Sequence, residues 1–403
     1  MQIVFLTQYY PPETGAPQRR LSELAERLTA AGHEVTVLTA MPNYPRGAIF
    51  EGYGRVLSRE KLGGANVIRT FIYPTQKAAL LPRMWNYFSF VLSSLIVGTF
   101  LLPRGGVLLV ESPPLFLGFS ALWLSLFKGS RLIFNVSDLW PESAVRLGII
   151  REGSLPHRLS AWLERLCYRR AWLISGQSRS ILSDIQSRFP EKETFLLSNG
   201  VDTQKFQPGL RDEAIRARLT GGRPDAFVAL YAGLHGLAQG LEQVVEAAAL
   251  LRDHPAAFVL VGDGPEKAQL MESARAQRLT NLAFQESIPA EAVPAWLASA
   301  DVVLVTLKMF IPGAVPSKIY EALATGLPVI LVASGEPADI LNRAQAGIVV
   351  EPGDVAGLAR AVESLQANPA LCRQYGENGR RAALEHYNRD KIAGAFIARL
   401  EKG

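Results

Sequence analysis

The stretch "IPGAVPSKIYEALATGLPVIL", near the C-terminal third of the chain, carries three side chains whose types and spacing suit nucleotide binding. Ser317 and Lys318 follow Pro316, a helix-start signal, so the first turn presents unpaired N–H groups at the positive end of a helix dipole. A diphosphate placed there would gain those donors and the Lys318 ammonium. Glu321 lies one turn on, on the same side as Lys318, and its carboxylate can accept two hydrogen bonds from a ribose diol. The plainer alternative is an i,i+3 ion pair on a helix surface with no functional role.

Three further segments invite chemistry. In "VLVGDGPEKAQL", Gly262 and Gly264 follow a strand and precede a helix, but Lys267 takes the place of the third glycine of a dinucleotide fingerprint. Gly262, Gly264 and Pro265 could still let a nucleotide base approach the backbone closely; a plain turn is the alternative. In "RLIFNVSDLWPESAVRLG", Asp138 and Glu142 fall just past the end of a strand, where ligands collect in open α/β sheets. Two carboxylates at that spacing could hold sugar hydroxyls or act as acid and base, or Asp138 could cap a helix. In "YYPPETGAPQRR", Gly15 can take backbone angles other residues avoid, and the helix beyond it offers N–H groups to a phosphate or sugar. A Pro/Gly-rich turn accounts for that loop equally well.

Parallel sheets can place all these groups. Short apolar runs alternate with amphipathic helical stretches along nearly the whole 403 residues, from "QIVFLT" and "HEVTVLT" through "GGVLLVE" and "RLIFNV". The rhythm restarts after residue 200 with "FVALYAG", "AAFVLVGDG", "DVVLVTL" and "LPVILVA". Two such βαβ series predict an α/β protein of two facing, doubly wound, Rossmann-like domains with a cleft between them. The expected domains are 1–202 and 203–385, with a C-terminal helix over 386–403 returning to the first.

Residues 1–200 carry 22 Lys and Arg against 14 Asp and Glu, a net charge of +8, whereas the remainder is at −3. The basic half should face something anionic, a membrane surface or a phosphate-bearing substrate; no nucleic-acid motif is present. Two cysteines 205 positions apart suggest neither a disulfide framework nor a metal cluster, which fits the cytoplasm. The opening "MQIVFLTQYYPPETG" has no signal-peptide pattern and reads as a strand entering a loop.

Met84–Leu102 holds 19 residues without a charge. A buried or half-buried helix, a helix lying on a bilayer and a true span are the three readings. Lys77, Arg83 and Arg104 at its flanks favour the bilayer surface. So does "LPHRLSAWLERLCYRR", where Arg158, Arg165, Arg169 and Arg170 neighbour Trp162 and Leu166; a solvated basic face is the alternative there.

Taken together, "YYPPETGAP", "GHEVTVLT", "SNGVDTQKF", "VGDGPEK" and "PSKIYEALATGLPVI" resemble, in order and along essentially the whole chain, the retaining glycosyltransferases of GT-B fold in sequence family 4. "VESPPLFLGFSA", "SDLWPESAVRLGI" and "YAGLHGLAQGLE" are similar to the bacterial branch that builds O-antigen, capsule and colanic-acid units. In that branch L-fucosamine transferases move N-acetylated sugars from UDP to polyprenyl-diphosphate-linked acceptors. The resemblance implies a base near Gly262, Gly264 and Pro265, a ribose on Glu321 and a diphosphate near Ser317 and Lys318. It places the acceptor on the first domain with Gly15 and Asp138. It implies a front-side displacement in which the leaving diphosphate helps deprotonate the acceptor, at the inner face of the plasma membrane. The chain departs from the family pattern at Gly313, Leu234, Gln239 and Ser137, where a glutamate, an arginine, a lysine and a histidine are usual. Phosphate charge then falls to Lys318, to helix N-termini and to His235. No D-x-D occurs, so a metal-independent reaction without cofactor is expected. A UDP-N-acetylglucosamine 2-epimerase of similar architecture and a non-catalytic sugar-nucleotide binder are the competing readings.

Overall fold

The computed structural model describes residues 1–54, 56–75, 80–146, 148–223 and 225–402, with the side chains of Leu80, Leu81 and Arg83 also left out; Lys77 and the Arg83 side chain therefore lie outside the description. The chain divides into two compact units: Met1–Asn199 with the segment from Ile392 onward, and Gly200–Lys391. The first seam falls three residues before the expected one for a local reason. Asn199 bonds to Arg20 and Gln177 of the first unit, whereas Val201 exchanges backbone hydrogen bonds with Tyr387 and Arg389 of the second.

The first unit contains strands β1 (Gln2–Leu6), β2 (Glu34–Ala40), β3 (Leu57–Leu62), β4 (Ala65–Thr70), β5 (Val107–Ser112), β6 (Arg131–Val136), β7 (Leu173–Gly176) and β8 (Thr194–Leu196). Its helices are α1 (Ala16–Ala30), α2 (Leu80–Leu101), α3 (Leu117–Lys128), α4 (Glu142–Arg146), α5 (Leu155–Arg170) and α6 (Arg179–Arg188). The sheet order is β3-β4-β2-β1-β5-β6-β7-β8, parallel except for the antiparallel β3 edge. β5 is buried at every position, as a strand covered on both faces must be. One apolar core lies on each face of the sheet.

The second unit contains β9 (Phe227–Ala232), β10 (Ala256–Val261), β11 (Leu282–Gln285), β12 (Val302–Thr306), β13 (Val329–Val332) and β14 (Gly347–Val350), all parallel, in the order β11-β10-β9-β12-β13-β14. Around them lie α7 (Glu213–Thr220), α8 (Glu242–Leu250), α9 (Lys267–Ala276), α10 (Val293–Ala298), α11 (Ser317–Thr325), α12 (Glu336–Ala344), α13 (Val355–Ala367) and α14 (Pro369–His386). A last helix, α15 (Arg389–Glu401), crosses the seam. Its Phe396 packs on Phe195, and its Arg399 pairs with Glu193 at the β8 edge of the first unit. The two units are therefore each a doubly wound Rossmann-like α/β layer with helices on both faces of a mainly parallel sheet.

The apolar stretch at Met84 forms α2, but it is not a core helix. Only 28% of its most apolar window, Met84–Leu101, is buried, although that window is long and apolar enough to cross a membrane. α2 rests one side on β2, β4 and α3 and leaves Trp85, Leu92, Ile96 and Phe100 exposed.

Candidate active site

In the second sheet the chain turns back at β9, which lies between β10 and β12; ligands of open α/β sheets sit outside the strand ends at such a switch point. Three loops meet there. The loop after β9 extends its pairing with the loop after β10: Gly233 N–H donates to Val261 O at 2.8 Å, His235 N–H to Asp263 O at 2.9 Å, and Glu266 N–H to His235 O at 3.0 Å. The loop after β12 joins through Lys308 N–H and Ala238 O, 2.9 Å apart.

α11 follows that loop. Ile319, Ala322 and Leu323 recur on one side and are fully buried, worth roughly 1.5–3 kcal/mol for each large side chain. The helix ends at Gly326, whose carbonyl lies so close to Gly376 of α14 that no Cβ would fit there. This packing fixes the opposite end, where Ser317 and Lys318 are the first helical residues. Pro316 stands before them and no side chain caps the helix, so Ser317 occupies the first turn rather than the cap position. The leading N–H groups there are the kind an anion satisfies.

Lys318 is half-buried and extends across Gly233, where any side chain would collide with its ammonium. Its Nζ donates to the Tyr231 hydroxyl at 2.8 Å and lies 4.4 Å from that ring's centre; the hydroxyl in turn donates to Leu234 O at 2.7 Å. Burial pushes the Lys318 amine down to about 8, against the opposing pull of the Glu321 carboxylate. Glu321 is half-buried one turn along. Lys318, Ser317 and Glu321 thus share one end of one helix at the switch point.

Other expectations about this unit are revised. His235 does not face a ligand: it is fully buried, against the rings of Tyr231 and Phe284, and neither ring nitrogen makes a well-formed hydrogen bond. Burial first, then the charges of Lys267 and Lys318, hold it down at about 4, so near neutrality it is an uncharged imidazole and supplies no charge to a phosphate. Replacing His235 by leucine, of similar volume, is expected to leave stability unchanged or raise it by about 1 kcal/mol, read from urea denaturation. A loss above about 2 kcal/mol would show that the imidazole is bonded.

Gly262 and Gly264 have a reason independent of any ligand. A Cβ at either would run into the backbone of Gly233 or His235, so both glycines serve the loop-to-loop approach, with Pro265 beside them. Gly313 sits at φ 77° in a turn closed by Ala314 N–H on Ile311 O, a conformation that disfavours the glutamate usual in the family.

In the first unit the two expected carboxylates, Asp138 and Glu142, have separate partners. Asp138 precedes α4 and is half-buried; it accepts from Ser143 Oγ at 2.8 Å, and burial raises its pKa against that bond. Glu142 opens α4 in solvent and pairs with Arg146 at 2.6 Å. Gly15 is extended (φ 166°) rather than left-handed, so its place before α1 asks no special backbone freedom. The loop around it is held from within: the buried Glu13 carboxylate accepts N–H groups of Asn43 and Tyr44 at 2.8 Å and of Tyr10 at 3.2 Å.

Sequence reasoning missed a buried polar network at the carboxyl ends of β5, β6 and β7. Arg20 of α1 donates to Glu111 at 2.7 Å, to Ser137 Oγ at 2.8 Å and to Asn199 at 3.1 Å. Asn135 and Ser137 donate to Glu111, and Ser175 donates to Asn135. Arg20 and Glu111 are each about 4% exposed in their side chains. The one signal in the sequence was an acid ending the otherwise apolar run "VLLVE".

Two doubly wound Rossmann-like units in one chain are the architecture of the GT-B glycosyltransferases. Residues 15–200 match the model of the glycosyl transferase 4-like domain, and residues 218–382 match the glycosyl transferases group 1 model. It is 29% identical over 391 residues, 94% of this chain and 96% of the other, to a protein named for colanic acid biosynthesis, the glycosyl transferase WcaI of Escherichia coli K12. It is 26% identical to the glycosyltransferase WbjE of Pseudomonas aeruginosa, over 65% of this chain and 66% of that one. Among solved structures, sucrose-phosphate synthase from Thermosynechococcus elongatus shares the fold with a TM-score of 0.75 at 20% identity, covering 100% and 98% of the two chains. Anabaena HepE in complex with UDP does so with a TM-score of 0.74 at 17% identity, covering both chains fully.

Proposed function

We propose that this enzyme transfers an N-acetylated hexose or deoxyhexose, with retention, from a UDP-sugar to a polyprenyl-diphosphate-linked glycan during assembly of a bacterial surface polysaccharide such as O-antigen or capsule. The observation that carries the donor half is Lys318 and Glu321 on one uncapped helix end at the switch point of the second sheet. That HepE was solved with UDP supports the nucleotide, and the names of WcaI and WbjE support a polysaccharide setting.

In this reading the diphosphate lies at Ser317 and Lys318, the ribose on Glu321, and the base beside Gly262, Gly264 and Pro265. The first unit takes the acceptor, on the shelf formed by the loop at Gly15, the Arg20–Glu111 network and Asp138. The bond between the sugar C1 and the phosphate oxygen breaks as the acceptor hydroxyl oxygen bonds to C1 on the same face. The hydroxyl proton passes to a leaving phosphate oxygen. Catalysis is then positioning plus stabilisation of departing phosphate charge by the Lys318 ammonium and the helix N–H groups, without a metal. We place the enzyme in the cytoplasm, at the inner face of the plasma membrane.

Incubation with UDP-sugars and polyprenyl-diphosphate sugar, followed by mass spectrometry, tests the assignment. An extended glycolipid and free UDP are expected; interconverted UDP-sugar without extension would make the chain an epimerase, and no conversion a binding protein. Glu321→Ala is expected to weaken UDP binding about tenfold by calorimetry, the loss of one or two charge-assisted hydrogen bonds. Unchanged affinity would remove the ribose from Glu321.

A further inference from the structure

The first unit exposes more apolar surface than its fold requires, and it does so on adjacent helices. On α2, Trp85, Phe88, Leu92, Ile96 and Phe100 recur at helical spacing and are all exposed, Phe100 by 79%. α3 continues the surface with Phe119, Trp123 and Leu126, the last also 79% exposed, and α5 adds Leu155, Leu159 and Trp162. These are one face rather than three. Trp123 Nε1 donates to Thr99 of α2 at 3.0 Å, and the rings of Phe119 and Trp162 lie 6.5 Å apart, joining α3 to α5. Contiguous patches of this kind mark a partner.

The charges around the face say which. Among α2, α3 and α5 the single carboxylate is Glu164, and it is buried and paired with Arg188 at 2.8 Å. Arg158, Arg165, Arg169 and Arg170 of α5 are exposed. Exposed aromatic and aliphatic side chains beside exposed arginines, on helices whose single acid is buried and paired, are the pattern of a surface that sinks into an anionic bilayer. Between α3 and α5 runs a groove of about 560 Å³, walled by Phe119, Trp123, Leu126 and Leu166 with Arg170 on its lining.

We propose that α2, α3 and α5 form a single docking face for anionic glycerophospholipid, in which the α3–α5 groove takes one acyl chain and Arg170 meets that lipid's phosphate. This rests on the inner-membrane placement proposed above and adds the lipid class and its site. Interfacial immersion of apolar side chains gives the attraction, and the arginines give it a preference for negative headgroups.

The test uses the full chain sedimented with vesicles of phosphatidylcholine alone, or of phosphatidylcholine with about one-third phosphatidylglycerol, with and without bromine in the acyl chains. Binding to the anionic vesicles is expected to be about tenfold or more stronger, weakening as salt rises. Bromine should quench Trp123, read as the difference between the native chain and Trp123→Phe. Leu126→Asp should lower partitioning about tenfold and Arg170→Glu several-fold, while Arg252→Glu on the second unit leaves it unchanged. No sedimentation with either vesicle would overturn the membrane placement itself. Normal sedimentation with Leu126→Asp bound as tightly as the native chain, or with Trp123 unquenched, would overturn the groove and leave that placement standing.

Discussion

Lys318→Ala should lower turnover by about two to three orders of magnitude, the usual cost of removing one preorganised group that meets charge developing on a leaving oxygen. The geometry makes the effect large. The ammonium is already oriented by the Tyr231 hydroxyl, and Gly233 leaves it room to lie across the sheet end, so little reorganisation is needed when a diphosphate arrives. Its depressed pKa, about 8, gives the effect a pH signature. Below that value Lys318 is an ammonium and attracts the diphosphate; as pH rises through it the free enzyme loses the charge, so UDP affinity should fall. A bound diphosphate favours the protonated amine, so UDP binding above pH 8 should take up a proton, measurable by calorimetry in buffers of different ionisation enthalpy. In Lys318→Ala the pH dependence in that window should vanish. An undisturbed rate in the variant would remove Lys318 from the site.

Arg20→Ala carries the largest expected cost in stability, about 3–5 kcal/mol, because it leaves Glu111 as an uncompensated charge inside the first unit. Arg20→Met with Glu111→Leu should recover most of that loss, since removing both charges removes the desolvation penalty along with the attraction. Urea denaturation reads both. The double variant separates support from function: if the pair only props up the strand ends, turnover on a lipid-linked acceptor is restored with stability. If the network forms the acceptor shelf, the acceptor KM stays raised while UDP affinity is normal. A cost under about 1 kcal/mol for Arg20→Ala would show that Glu111 finds water or another partner.

The parts legible from sequence were those whose causes are local. Buried parallel strands such as β10 and β13 are apolar throughout, and α11 announces itself through Pro316, its apolar face and Gly326. β3 went unread because "LSREKL" is a charged, largely exposed antiparallel edge, and β11 because "LAFQ" is too short to show a period. The Arg20–Glu111 pair joins residues 91 positions apart and has no local mark beyond an acid in an apolar run. Asp138 and Glu142 were read together because they lie four positions apart just past a strand end, but only Glu142 is in the helix that follows, so the offset sets no common face. His235 was expected to help meet phosphate charge, because the family's usual arginine and lysine are replaced here by Leu234 and Gln239. It is buried because that loop adds rungs to the loop after β10, a contact that depends on two glycines nearly thirty residues away.

The backbone exchange of Val201 with Tyr387 and Arg389 has a further meaning. It closes the two ends of the second unit against each other, so that Gly200–Lys391 is topologically an insertion into a first unit whose polypeptide leaves after Asn199 and resumes at Ile392. A unit of that kind is a cassette. Recombination at two neighbouring peptide junctions would exchange the whole second unit for that of a related chain without rerouting a strand of the first; under the proposed function, that is a short path to new donor–acceptor pairings.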